Sequence, residues 1–262
     1  MKSAESAVSS EPSQSARELL FEGIVAAATI TLWPILGERS KATAASRATA
    51  MAWLPIAGFA LGAILATIDR VAGVTLVGAA RSIAVMLAAA ILSGGLANRG
   101  LADTVESIRN GVRPASTGLA RIGPIGAIAA IAGFAFEVWC LSRIGGTSRG
   151  AALVMSMMLS RWSIVPIGYG LKPLERWGLG VPYEGGLTFR EFAVSSTIAL
   201  GATMGLYRNI GLAVIIAIAL TILAMRLIIS RRMRGASGAS LAGGCAIVEI
   251  ATLAVLAALK IQ

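Results

Sequence analysis

The sequence predicts an all-α fold, a polytopic transmembrane helical bundle of about eight spans, seven to nine being compatible with the pattern. Three observations predict it. Hydrophobic residues make up 56% of the chain and charged residues 14%, which leaves too little polar surface to cover a water-exposed globule. Mean hydropathy is +0.78. Aromatics are only 5%, while 30 glycines accompany the Ala, Ile, Leu and Val content, the composition of helices that pack closely in lipid.

A helix crosses the roughly 30 Å hydrocarbon core with about 20 residues and satisfies its own backbone hydrogen bonds. Windows of that kind run from Leu19 to Leu36, Met51 to Ile68, Val71 to Ala97, Ile122 to Leu141, Ala151 to Leu171, Phe192 to Tyr207, Ile210 to Ile229 and Ala239 to Leu259. The third contains Arg81, and the sixth is short enough to be tilted or re-entrant. Residues 1–18, Ser-rich and mixed in charge, read as a disordered polar tail rather than a secretory signal, with 19–262 as a single transmembrane domain and no soluble domain appended.

Lys and Arg gather on the cytoplasmic side of membrane proteins. With eight spans, one face carries Arg39, Lys41, Arg47, Arg99, Arg109, Arg113, Arg121, Lys172, Arg176, Arg190, Arg231, Arg232 and Arg234; the other carries Lys2, Arg17, Arg70, Arg143, Arg149, Arg208 and Lys260. The expected orientation therefore puts the four longer loops in the cytosol, in an inner, cytoplasmic membrane. The net charge of +10 reads as topology signal and contact with lipid headgroups, not as a nucleic acid surface.

Histidine is absent, which excludes a His-containing triad or a His-ligated metal. Cys140 and Cys245 lack CxxC spacing and read as inert packing residues. Charges at membrane depth are costly unless paired or wet, so Glu22, Arg81, Glu137, Arg161, Arg226 and Glu249 each need a reason. Glu22, Glu137 and Arg226 lie near predicted span ends, where snorkelling supplies one. Arg161 and Glu249 sit among apolar neighbours, and structural pairing and substrate contact weigh equally for them. Gly58 to Gly62 and Gly201 to Gly205 match GxxxG, expected here as packing inside the bundle. Pro34, Pro55, Pro124 and Pro166 fall in or near spans, where each can kink a helix.

The most informative stretch is Ser93-Gly94-Gly95-Leu96-Ala97-Asn98-Arg99-Gly100-Leu101-Ala102-Asp103-Thr104-Val105-Glu106, expected at the cytoplasmic end of the third span. The Gly pair lets the backbone turn or approach a ligand. On a helix, Asp103 and Glu106 share a face and could hold a hard cation such as Mg²⁺. An exposed acidic pair is more often simply solvated.

These residues, with others in order along the chain, resemble the cobalamin synthase family, the adenosylcobinamide-GDP ribazoletransferases, over nearly the full length. The family's GG-x-HLDGLADT loop is matched by Gly94, Gly95, Gly100, Leu101, Ala102, Asp103 and Thr104. Its RxGxxG element is matched by Arg121, Gly123 and Gly126, its Ser-Arg by Ser160-Arg161, its GLG loop by Gly178-Leu179-Gly180, and its C-terminal acidic pattern by Ser237-Gly238 and Glu249. A segment like FPLVGLLLG stands at Leu54 to Gly62.

The resemblance implies a phosphorus-containing-group transferase acting late in cobalamin biosynthesis. With Mg²⁺, it joins α-ribazole or its phosphate to adenosylcobinamide-GDP and releases GMP. It assigns Asp103, Arg121 and Arg161 to catalysis, Gly94, Gly95, Gly100, Thr104, Gly123, Gly126, Ser160, Gly178 and Gly180 to substrate, and Asp103, Glu106 and Glu249 to metal. Several acidic positions of the pattern are lost: HLD is Ala97-Asn98-Arg99, an acidic residue before RxGxxG is Leu119, and two C-terminal ones are Ala239 and Ala246. The alternative is a noncatalytic relative that binds a corrinoid, a nucleotide or a membrane partner.

Overall fold

The computed structural model describes residues 23–25, 27–28, 31, 44–110, 123–174 and 187–259. The expected polar tail, Glu22, Pro34, Arg121, Gly178 and Gly180 lie outside the described residues. Among those described there is no strand: residues 23–25, 27–28 and 31 are helical, and the helices that follow are α1 (Ala44–Thr75), α2 (Gly78–Leu92), α3 (Leu96–Asn110), α4 (Pro124–Arg143), α5 (Arg149–Gly168), α6 (Phe189–Ile228) and α7 (Gly238–Ala258), with a π turn at Ile229–Met233 before α7. The chain is thus a polytopic helical membrane protein. Five stretches are long and apolar enough to span: Ala50–Thr75, Pro124–Arg143, Arg149–Gly168, Ile210–Met233 and Gly238–Ala258. A sixth is counted if α2 and α3, bent by 81°, form one broken span. Ile128, Ile131, Leu220 and Leu223 stand exposed on α4 and α6, an apolar surface that suits lipid.

The expected span from Val71 to Ala97 is redistributed. α1 continues through Val71 to Thr75, so Asp69 and Arg70 lie inside a helix, and α2 ends at Leu92 before the Gly pair. The expected sixth and seventh spans form the two limbs of α6, which breaks at Arg208 (φ 44°, ψ −116°). Gly211 lies against the backbone of Thr203 and Met204, eight residues back and two helical turns away on a straight helix, so the limbs fold back on each other. The first limb opens on a capping box in which Glu191 accepts from the Thr188 backbone N–H at 2.9 Å.

α5 is the central helix, with nearly every residue from Ala152 to Ile167 buried. α1 crosses it closely, because Gly58 and Gly62 abut the backbones of Met157–Met158 and Leu153–Val154, where any Cβ would overlap. Gly201 and Gly205 have no such neighbour among the described residues; they sit on an exposed stretch of α6, so the packing expected of that GxxxG pair is not found among the described helices. Leu54, Met155, Leu159, Val214, Ile218 and Leu253 form the main core, and Leu61, Leu65, Val85, Met86, Leu141 and Met157 a second one. Both cysteines are buried and free, as expected.

Two sets of polar contacts mark opposite ends of the bundle. At one end Asp69 accepts from Arg81 Nε (3.0 Å) and from Arg149 Nη2 (3.0 Å), while Arg149 also reaches the Leu141 carbonyl (2.6 Å) and Ser82 (3.2 Å). Arg81 is therefore paired, as membrane depth demands. At the other end Arg226 donates to the Pro166, Ile167 and Tyr169 carbonyls, which the C-terminus of α5 leaves without helical partners. Snorkelling is thus not what accommodates Arg226. There too the Leu174 N–H donates to the Ala236 carbonyl (3.0 Å) and the Ala236 N–H to the Lys172 carbonyl (2.9 Å), bridging Pro173 and Ala236 and closing the turn before α7.

Candidate functional site

The 81° bend between α2 and α3 is made by Gly94 (φ 63°) and Gly95 (φ 67°), both in the left-handed region that residues with a Cβ rarely adopt. The Gly95 N–H closes the turn on the Ala90 carbonyl at 2.7 Å, and Ser93 Oγ donates to Ala89 at 2.7 Å. Both glycines are thus required by the backbone path, and Gly95 also borders the cleft described below.

α3 leaves this turn with one buried face. Gly100 abuts Ala242 and Gly243 of α7, so a side chain at either glycine would overlap its neighbour. Thr104 Oγ1 donates to the Gly100 carbonyl (2.6 Å) and reaches the Ala239 carbonyl (3.3 Å), pinning α3 to the start of α7. Gly100 and Thr104, assigned to substrate by resemblance, therefore make a helix crossing.

Glu106 has a structural partner as well. Its Oε1 accepts from the Gly126 N–H at 2.9 Å, its Oε2 from Asn110 Nδ2 at 2.8 Å, and Gly123 leaves room for the carboxylate at the start of α4. This is a carboxylate on a helix N-terminus, where orphan N–H groups and the helix dipole favour it. Among the described residues Asp103 makes no hydrogen bond or ion pair. Arg99 is exposed.

The second group of residues lies deep in the bundle. Arg161 Nη1 donates to Glu249 Oε2 at 3.0 Å and to Ser160 Oγ at 2.7 Å, with Met157 Sδ at 3.5 Å. Side chains of the pair are 3% and 5% exposed, so each charge depends on the other. Arg161 Nε is buried without an acceptor. Glu137 on α4 is 4% exposed and has no hydrogen-bond partner among the described residues, which corrects its reading as a span-end residue: α4 runs on to Arg143 and turns Glu137 inward. Glu137, Arg161 and Glu249 line one cleft with Ser93, Gly95, Ala97, Asn98, Met86 and Phe134. The cleft lies directly under the Gly–Gly turn, where the α2–α3 path breaks beside a cavity inside the bundle.

The residues singled out from the sequence thus fall into two neighbouring sets. Gly95, Arg161 and Glu249 border the cleft. Gly100, Thr104, Glu106, Gly123 and Gly126 knit α3 to α4 and α7, with Asp103 beside them. Asp103 is five residues along α3 from Asn98, about 7.5 Å of helical rise. The carboxylates do not fit a three-ligand magnesium cage: Glu249 is taken by Arg161, Glu106 by Gly126, and among the described residues no three acidic or cysteine side chains gather. Sequence reasoning missed Ser93 and Asn98 as cleft residues and Asp69 as the partner of two arginines. The only signal for Glu137 was its place in an apolar window.

The Cobalamin-5-phosphate synthase family matches residues 23–259. The adenosylcobinamide-GDP ribazoletransferase of Roseiflexus sp. (strain RS-1) is 30% identical over 217 residues, 78% of this chain and 77% of that protein. No solved structure matches.

Proposed function

Because the chain belongs to the Cobalamin-5-phosphate synthase family, a family of cobalamin biosynthesis, we propose that it joins α-ribazole or its phosphate to adenosylcobinamide-GDP and releases GMP. What carries this reading is the cleft itself: Gly95, Arg161 and Glu249, residues of three separate family motifs, border one cavity under the helix break. Ser160 and Glu249 hold the Arg161 guanidinium by Nη1, so its position is fixed before any substrate arrives. A fixed cation in a water-poor cleft is suited to charge that builds on phosphoryl oxygens during transfer. Magnesium enters the reading as a companion of the substrate's pyrophosphate, and Asp103 is the motif carboxylate left without a partner to meet it. The end bearing Glu106, Thr104 and Lys172 faces the cytosol of an inner membrane in this reading, which the Lys and Arg distribution supports.

A second reading has its own support. Arg99 in place of a carboxylate, together with the engagement of Glu106 and Glu249, favours a noncatalytic relative that binds a corrinoid or nucleotide. The two separate in one experiment. Purified protein in lipid nanodiscs, given adenosylcobinamide-GDP, α-ribazole and Mg²⁺, should release GMP; no GMP beside an active family member would leave the binding reading.

A further inference from the structure

Glu137 is the one buried carboxylate among the described residues that the fold leaves unanswered. Asp69 is matched by Arg81 and Arg149, and Glu249 by Arg161. Glu137 is 4% exposed, lies inside α4 and accepts no hydrogen bond, yet it borders the same cleft as Arg161 and Glu249. A structural role would give it a partner. As a carboxylate it would take a donor, and as a neutral acid it would donate to an acceptor, because an unmatched buried polar group costs stability either way. Arg161 does not supply the match: its ion pair is with Glu249, and it makes no hydrogen bond to Glu137. Ser93 donates to Ala89, leaving Asn98 as the other polar side chain on the cleft wall.

We infer that Glu137 is a catalytic base, whose missing partner is the attacking hydroxyl of the ribonucleoside substrate. This rests on the transferase reading above. The cleft then offers a carboxylate that lacks a donor, beside a guanidinium held on Nη1 by Glu249 and Ser160. A substrate hydroxyl answers the carboxylate, and the guanidinium supplies positive charge for the phosphoryl group. In the step, Glu137 takes the hydroxyl proton while the hydroxyl oxygen bonds to the phosphorus that carries the corrinoid. The bond from that phosphorus to the bridging oxygen breaks, its electron pair leaves with GMP, and the proton passes from Glu137 to the departing phosphate or to water. No oxidant or further reactant is needed. The Glu249 charge is balanced by Arg161, so Glu137 is the carboxylate at the cleft that can accept a proton without dismantling an ion pair.

The test measures steady-state GMP release by the full chain in nanodiscs, with adenosylcobinamide-GDP and α-ribazole each varied. For Glu137→Gln the expected result is a kcat at least about 100-fold lower, with KM for both substrates within about threefold of wild type. Glu137→Asp, which keeps a displaced carboxylate, should fall between the two. A Glu137→Gln protein with wild-type kcat, or one whose loss lies in KM, would overturn the assignment. Should the Gln variant not fold, the Asp variant decides: a kcat lowered by about tenfold or more at unchanged KM supports the base, and a wild-type kcat or a KM-borne loss overturns it. Failure of the wild-type protein to release GMP would bring down the transferase reading and this inference with it, whereas an active wild type with an active Gln variant would remove the inference alone.

Discussion

Arg161 and Glu249 meet at 3.0 Å in the middle of the bundle and tie α5 to α7 beneath the helix break. Removing one partner leaves the other charge buried and unmatched. Glu249→Ala should therefore destabilise the protein by about 3–5 kcal/mol, read from thermal unfolding in detergent. Replacing both, Arg161→Met with Glu249→Leu, should restore most of that stability while leaving no GMP release. A double variant as unstable as the single one would mean that the ion pair is not what the single variant lost.

The α3–α7 crossing makes a second prediction. A methyl at Gly100 would overlap Ala242, and one at Gly243 would overlap Thr104 and the Gly100 carbonyl. Gly100→Ala and Gly243→Ala should each cost about 1–3 kcal/mol, as overpacked sites do. Unchanged melting temperatures would show that the helices have room to separate.

Glu106 and Asp103 should behave differently, although both are acidic and three residues apart. Glu106→Gln keeps an oxygen for the Gly126 N–H, so turnover should stay within about threefold of wild type, while Glu106→Ala should lose about 1 kcal/mol as a cap does. Asp103 makes no hydrogen bond or ion pair with the described residues, so Asp103→Asn should change thermal stability little and lower turnover by at least about tenfold. Equal loss of turnover in Glu106→Gln and Asp103→Asn would favour a shared metal site over a helix cap.

Orientation is open to labelling. A cysteine placed at Ser107, near the end of α3, should react with an impermeant maleimide from the cytoplasmic side alone. Labelling from outside would reverse the bundle.

The bundle was readable from the sequence because lipid imposes length and apolarity on each span locally, and the Gly94–Gly95 turn because only glycine tolerates that backbone. The GxxxG pair on α1 was equally readable, whereas the matching pair on α6 faces away from the described helices, since spacing alone does not say which side of a helix is buried. Side-chain partners were not readable. Asp69 meets Arg149, eighty residues away, only because α1 extends past Ile68 and carries it to the start of α5. Glu106 is close to Asp103 in sequence, yet the start of α4 claims it. Glu137 looked like a terminal residue because an apolar window cannot show where a helix ends or which side faces a cleft.

The measurement that bears most directly on the cleft as the reaction site is turnover by Arg161→Lys. Lysine keeps a positive charge for Glu249 but not the planar fork with its Nε–H. The protein should remain folded while GMP release falls by at least about 100-fold, the cost of removing a fixed donor from developing phosphoryl charge. Wild-type release from a folded Arg161→Lys protein would contradict the account and move the chemistry elsewhere in the bundle.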